Sequence, residues 1–131
     1  MTACACTAQL QELVTNQGFE SDTSGWTGLG ATLSSSTAQA HTGSSSLRIS
    51  NRSQTWNGAE YNLLGLAHAG ETLSASLWAR IEGAPNEPVY LTLRSICQGQ
   101  SAMYERIVSR TATNDNWVQL AGTVEIPDCD L

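Results

Sequence analysis

The sequence predicts an all-β domain, a jelly-roll β-sandwich of two antiparallel sheets. Three observations favour this fold class. Apolar and polar residues alternate with a period of two in several segments, no segment sustains a helical period, and polar turn clusters such as HTGSS, EGAPNEP and ATNDN separate the alternating segments. About seven or eight such strands in one domain are typical of a sandwich or jelly roll. The 131 residues suffice for one buried core.

The strands are predicted in chain order from these alternating segments. Trp26 follows the turn residues TSG at the start of a first strand. Short candidates follow at 46–50 and 59–63, and the clearest strand is TLSASLWARI, in which Leu73, Ala75, Leu77, Ala79 and Ile81 would face the core. The same pattern recurs in PVYLTLRSI and WVQLAGTVEI, and a shorter segment at 103–109 completes the set. Each of these strands should have one buried face.

Composition excludes several classes of partner. Six arginines and no lysine stand against twelve acidic residues, giving a formal charge of −6 and no basic stripe for a polyphosphate. No segment approaches the ~20 consecutive apolar residues of a membrane span. We therefore expect neither nucleic acid nor a membrane as partner, whereas neutral polymers, which bind through stacking and hydrogen bonds, stay open.

The four cysteines do not have the spacing of a zinc site. Cys97 and Cys129 both lie near predicted strand ends in a lysine-free chain rich in Ser, Thr and Gly, so we expect a disulfide between them. Cys4 and Cys6 are left as free, intermolecular or paired with partners elsewhere. Residues 1–11 lack the features of a signal peptide and are interpreted as a linker remnant, with the module at 12–131.

No reaction centre can be recognised in the sequence. His41 and His68 have no motif around them, no Gly-x-Ser-x-Gly segment occurs, and any chain with twelve acidic residues offers a carboxylate pair by chance. The sequence therefore predicts a protein that is not an enzyme.

The tryptophans are the better indication of function. Trp26 and Trp117 follow turns at strand starts, where an indole usually covers the core and donates its N–H locally, and Trp78 either lines an open face or lies beneath a loop. Trp56 differs, because NRSQTWNGAEY surrounds it with polar residues and places Gly58 nearby. An exposed indole can stack on the C–H face of a sugar while amide, guanidinium and carboxylate groups bond its hydroxyls. This combination favours a carbohydrate ligand.

Several ordered segments carry a family resemblance. LVTNQGFES with SGWTG, AHTGSSSLRISNRSQTWNGAEYNL, GETLSASLWARI and NWVQLAGTVEIP, which together span 13–127, resemble carbohydrate-binding modules of family 22, close to families 4 and 9. Such modules are jelly rolls of the galactose-binding-like type without catalytic activity, and they are usually attached to secreted bacterial xylanases. They hold xylan or mixed-linkage glucan in a groove on one concave sheet.

The resemblance implies a set of binding residues and partners. Trp56 corresponds to the stacking tryptophan and Tyr104 to a groove tyrosine, with hydrogen bonds expected from Arg52, Asn57 and Glu105. The implied ligand is xylan or a related β-glucan, and the implied role is to tether the attached catalytic domain of a secreted, extracellular glycoside hydrolase to the polymer.

The sequence departs from the family in two places. Leu29 stands where the family has a groove arginine, and no counterpart of the last strands follows DCDL, which would leave a sheet edge and part of the groove open. The alternative is therefore a structural spacer that has lost its ligand, and a buried Trp56 would favour it.

The family also tends to hold one structural calcium ion. The corresponding positions are Gly18, Glu20, Thr42 and Ser45, which offer one carboxylate and neutral oxygens to a hard cation. The aspartate that the last strand usually supplies is missing, so incomplete occupancy is expected.

Overall fold

The computed structural model describes residues 11–131, so most of the predicted linker, with Cys4 and Cys6, lies outside the described residues. The described part contains eight β-strands and no helix, which confirms the all-β prediction. It accordingly has no helix that is long and apolar enough to cross a membrane. By Cα proximity the chain divides into two compact units, Met1–Leu63 and Leu64–Leu131.

The first unit contains two antiparallel strand pairs. Its strands are β1 (Trp26–Leu29), β2 (Thr32–Ser36), β3 (Ser46–Ser50) and β4 (Gly58–Tyr61). Strand β1 pairs with β4, and β2 pairs with β3. β3 has the predicted bounds, whereas β4 begins one residue earlier and ends two residues earlier than predicted. β2 was not predicted, because in TLSSS only Leu33 marks the apolar face and serines occupy the other inward positions.

The second unit contains the longer strands. They are β5 (Thr72–Ala79), β6 (Glu87–Ser95), β7 (Met103–Ala112) and β8 (Val118–Glu125). β5 pairs with β8 and β6 with β7, both antiparallel. β7 continues three residues beyond the predicted segment, since its register with β6 extends to Glu87↔Ala112.

The predicted alternation places the core of the second unit correctly. Along β5 the apolar residues are half-buried and the intervening residues exposed, and β8 buries Leu120 completely. Gly122 of β8 lies directly against β7, because a Cβ there would stand 2.8 Å from Ile107 Cγ2 and 3.3 Å from its carbonyl oxygen. Only glycine allows this approach of the two strands.

The predicted disulfide is confirmed. Cys97, just beyond β6, is bonded to Cys129, just beyond β8, with their Cα atoms 5.7 Å apart. Gln98 N–H donates to the Asp130 carbonyl beside it. The bond therefore ties the ends of two strands that belong to different pairs of the second unit.

Trp26 is a structural residue, as predicted. Its ring packs against Phe19 and Tyr61, with centroids 5.4 Å and 5.2 Å away. The prediction that its N–H donates locally was wrong: Nε1 is buried and finds no acceptor among the described residues.

Candidate functional site

Trp56 lies in the connection between β3 and β4, in a segment that we call the 52–57 loop (Arg52–Asn57). The Arg52 guanidinium holds one side of this loop: Nε donates to the Asn57 carbonyl at 2.8 Å and an Nη group to the Thr55 carbonyl at 3.1 Å. Both acceptors flank Trp56 in the chain. Arg52 therefore fixes the backbone on each side of the indole.

Asn57 holds the other side of the loop. Its Oδ1 accepts from the backbone N–H of Gln54 at 2.8 Å and of Ser53 at 3.1 Å, with the Ser53 hydroxyl at 3.3 Å. The Asn57 N–H in turn donates to the Gln54 carbonyl at 3.1 Å. Asn57 is half-buried, and its amide group lies against Gly30, where a Cβ would overlap Nδ2.

These bonds give Arg52 and Asn57 a function that the sequence did not indicate. Both were predicted to contact the sugar. In the structure, two N–H groups of Arg52 and the Oδ1 of Asn57 instead form hydrogen bonds that order the loop. Direct contact of either side chain with a sugar stays a prediction. The pattern Arg-x-x-x-Trp-Asn contains the residues that order this loop, but their role can be recognised only when the turn conformation is known.

The indole of Trp56 is presented to solvent. Its side chain is 70% exposed, the largest exposure among the large hydrophobic residues of the described part. A buried Trp56 would have favoured the spacer interpretation, so this observation retains the ligand hypothesis. An ordered backbone under an exposed ring is a preorganised stacking surface, which lowers the entropy lost on binding.

Tyr104 lies on an exposed face of the β6–β7 pair, within the second unit. Its side chain is 68% exposed, and Arg94 stands directly opposite on β6. Arg106, two residues further along β7, is opposite Thr92 and places its guanidinium 4.0 Å from the centroid of the Tyr90 ring. The side chains of these five residues, Tyr90, Thr92, Arg94, Tyr104 and Arg106, are all exposed. The sequence analysis missed Arg94, Arg106 and Tyr90, because the register that aligns them with Tyr104 is a tertiary property.

Glu105 does not share the face of Tyr104. Consecutive residues of a strand point to opposite faces, and Glu105 is opposite Leu93, a half-buried residue of the inner side. The structure thus separates two residues that were predicted to serve one groove. A binding role for Glu105 stays a prediction.

The Glu20 side chain lies against the turn before β3. Its Oε1 accepts from the N–H groups of Ser44 at 2.9 Å and Ser45 at 3.3 Å, and Gly43 allows the close approach, since a Cβ there would overlap that oxygen. Gly18 borders the same carboxylate. The groups shown to face this carboxylate are backbone N–H donors, and calcium binding here stays a prediction. Within residues 11–131 no cluster of three His, Cys, Asp or Glu side chains has metal-binding geometry.

Leu29, at the position of the family's groove arginine, is 45% exposed at the end of β1. It is paired with Gly58, two residues after Trp56. Because Gly58 directly follows the 52–57 loop, this pairing brings an apolar side chain near the loop. The resemblance implied a charged contact at this position.

Comparison with known proteins bears on what this arrangement binds. Residues 11–130 match the family described as "Carbohydrate binding domain". The chain belongs to this family. The domain is accordingly a binding module without catalytic activity, as the sequence predicted.

The solved structures similar to this domain are modules of family 22. The CBM22-1 xylan-binding domain of Xyn10C from Paenibacillus barcinonensis has a TM-score of 0.77 at 25% identity, covering 85% of this chain and 74% of that one. The C-terminal family 22 module of Xyn10B from Clostridium thermocellum has a TM-score of 0.72 at 28% identity, covering 86% and 74%. These likenesses confirm the predicted resemblance and the jelly-roll sandwich class.

A curated relative is an enzyme of several times this length. Endo-1,4-beta-xylanase A of Thermotoga maritima is 34% identical over 118 residues, which are 88% of this chain and 11% of that protein. The chain spans about a ninth of the length of the first curated relatives that it matches.

Proposed function

We propose that the domain binds a β-1,4-linked plant polysaccharide, xylan in the first place and mixed-linkage glucan as a related ligand, by stacking Trp56 on a sugar ring. The observation that carries the proposal is the 70% exposure of an indole whose loop is held by its own hydrogen bonds. The similar CBM22-1 domain of Xyn10C, which is described as xylan-binding, supports the choice of polymer.

The chemistry of the 52–57 loop suits a neutral sugar. The indole supplies an apolar plane for the C–H face of a pyranose, and polar groups of the loop can reach hydroxyls at its rim. Tyr104, in the second unit, carries another exposed ring that was predicted from the sequence to stack on sugar. Two stacking contacts and a few hydrogen bonds, less the ordering losses, correspond to roughly −4 to −8 kcal/mol, or micromolar to near-millimolar affinity.

Such affinity suits a tethering role. In this proposal the domain belongs to a longer, secreted bacterial glycoside hydrolase and keeps an attached catalytic domain near its polymer. The xylanase relatives, of which the matched segment is 11%, support this arrangement. The Cys97–Cys129 disulfide is typical of an extracellular protein.

Isothermal titration with xylohexaose and cellohexaose tests the proposal. Wild type should bind xylohexaose, and Trp56→Ala should weaken binding by about tenfold or more, because truncating a central tryptophan typically costs about 2 kcal/mol or more. Trp78→Ala is the matched control, since it removes a 43% exposed indole from β5. Unchanged affinity in folded Trp56→Ala, or absence of binding in folded wild type, would refute the proposal.

We also propose that calcium binds at Glu20 beside the 42–45 turn, through this carboxylate and neutral oxygens of Gly18, Thr42 and Ser45. The ion would be structural, joining the segment before β1 to the turn before β3. Calcium should raise the melting temperature of the wild type, and EDTA should reverse the rise. Glu20→Gln should abolish this response, whereas an equal rise in the variant would contradict the site.

A further inference from the structure

We propose that the β6–β7 face around Tyr104 recognises an acidic substituent of the polysaccharide, a uronic acid carried as a side group on the sugar backbone. This inference rests on the proposed function and adds the charge of the ligand to it. The residues that would carry it are Arg94 and Arg106, which no comparison assigns to binding.

The first support is the placement of the two guanidinium groups. Arg94 is the direct cross-strand partner of Tyr104, and Arg106 lies two positions from Tyr104 on the same strand. Cross-strand partners and residues two apart on a strand share one face, with Cβ atoms about 5–7 Å apart. A guanidinium group therefore lies on each of two sides of Tyr104. A sugar stacked on the Tyr104 ring would place its own substituents near these two groups.

The second support is the charge balance. The chain has a formal charge of −6 and only six arginines, two of which lie on this one short face. The positions of the face along β6 and β7 are Pro88, Tyr90, Thr92, Arg94, Tyr104, Arg106, Ser109 and Thr111, none of them acidic. An acidic protein thus presents a locally cationic surface, opposite in sign to its net charge, and this surface attracts anions.

The third support is that neither guanidinium is neutralised by a carboxylate. Within residues 11–131 the one ion pair joins His68 and Glu71. Arg106 instead packs on the ring of Tyr90, which orients the guanidinium plane and leaves its N–H groups at the exposed surface. A planar guanidinium held in this way is suited to bidentate bonding of a carboxylate. A β-bulge between Leu91 and Thr92 lies beside it and sets the register that brings Arg106 opposite Thr92.

The chemistry selects a uronate over other anions. The exposed ring of Tyr104 offers a stacking plane for a pyranose, and two separated guanidinium groups give a diffuse rather than concentrated positive charge. A polysaccharide with occasional carboxylates satisfies both features. A neutral polymer would use the ring and leave the guanidinium groups hydrated.

The test compares three oligosaccharides of equal backbone length by isothermal titration: a neutral xylo-oligosaccharide, the same chain with one 4-O-methylglucuronic acid branch, and its carboxyl-reduced form. Wild type should bind the acidic form about threefold to tenfold more tightly than the reduced form, the range expected for exposed ion pairs. The preference should shrink between about 0.05 M and about 0.5 M salt because screening weakens such pairs.

The variants assign the effect to this face. Arg94→Gln with Arg106→Gln should abolish the preference for the acidic form and leave neutral binding within about twofold, whereas Arg48→Gln, an exposed arginine of β3, should leave the preference intact. Circular dichroism checks that each variant is folded. Equal binding of acidic and reduced forms by wild type overturns the inference while binding of the neutral chain upholds the proposed function. Persistence of the preference in the double variant overturns it as well, and absence of binding to all three sugars refutes both.

Discussion

Replacing Asn57 distinguishes two roles for this residue: ordering the 52–57 loop and contacting the sugar directly. Asn57→Ala removes the acceptor of two backbone N–H groups, those of Ser53 and Gln54. Because the loop is exposed and water can replace part of the loss, the two bonds contribute about 1–2 kcal/mol together. For a domain of this size we expect a fall in melting temperature of about 3–6 °C.

The same free energy should appear in ligand affinity. A loop that is disordered in the free protein must be ordered on binding, so Asn57→Ala should weaken xylohexaose binding by about fivefold to thirtyfold. Asn57→Asp keeps an oxygen acceptor at the same place and removes the Nδ2 donor. If the residue acts through the loop, the aspartate variant retains most of the affinity that the alanine variant loses.

Titration calorimetry and thermal unfolding of the two variants, with Asn86→Ala as a control in an exposed turn, provide the measurement. The reasoning is refuted if Asn57→Asp loses as much affinity as Asn57→Ala, because the amide would then act as a donor to the sugar. It is also refuted if Asn57→Ala changes neither melting temperature nor affinity.

Three further predictions concern stability. Cys97→Ser with Cys129→Ser opens a loop of sequence separation 32 and should lower the free energy of unfolding by about 3–4 kcal/mol; urea unfolding that is unchanged would contradict this. Gly122→Ala should cost about 1–3 kcal/mol by overpacking β7, whereas Gly58→Ala, whose Cβ meets nothing within 4 Å, should be close to neutral in the same assay. The pKa of Asp22 is lowered from 3.8 mainly by hydrogen bonds from Ser24, so its stabilising effect is complete above that pH and is lost as the pH falls through the lowered value. Wild type and Asp22→Asn should therefore differ in melting temperature near neutrality and converge in acid; a constant difference would contradict the assignment.

The long strands could be predicted from the sequence because each has one buried face. In β5 and β8 the period of two is uninterrupted, and burial follows it residue by residue. β2 was missed, because its inward serines carry no hydrophobic signal. The opposite orientation of Glu105 and Tyr104 was available from the same period, since adjacent strand residues face opposite sides.

The candidate site was only partly predictable. Trp56 was found because an indole among polar residues is unusual for a core, and its exposure agrees. The role of Asn57 in the loop depends on a turn conformation that brings Oδ1 to two N–H groups, and the sequence does not specify that turn. Arg94 and Arg106 required the β6–β7 register, including its bulge.

The hydrogen bonds within the 52–57 loop connect residues no more than five positions apart. The hydrogen bonds that hold this segment are therefore local, although the Asn57 amide also lies against Gly30 in a distant part of the chain. Mutation at position 56 can therefore exchange one ring for another without a compensating change elsewhere. Substitutions within the loop can thus alter ligand preference during evolution while the fold stays the same.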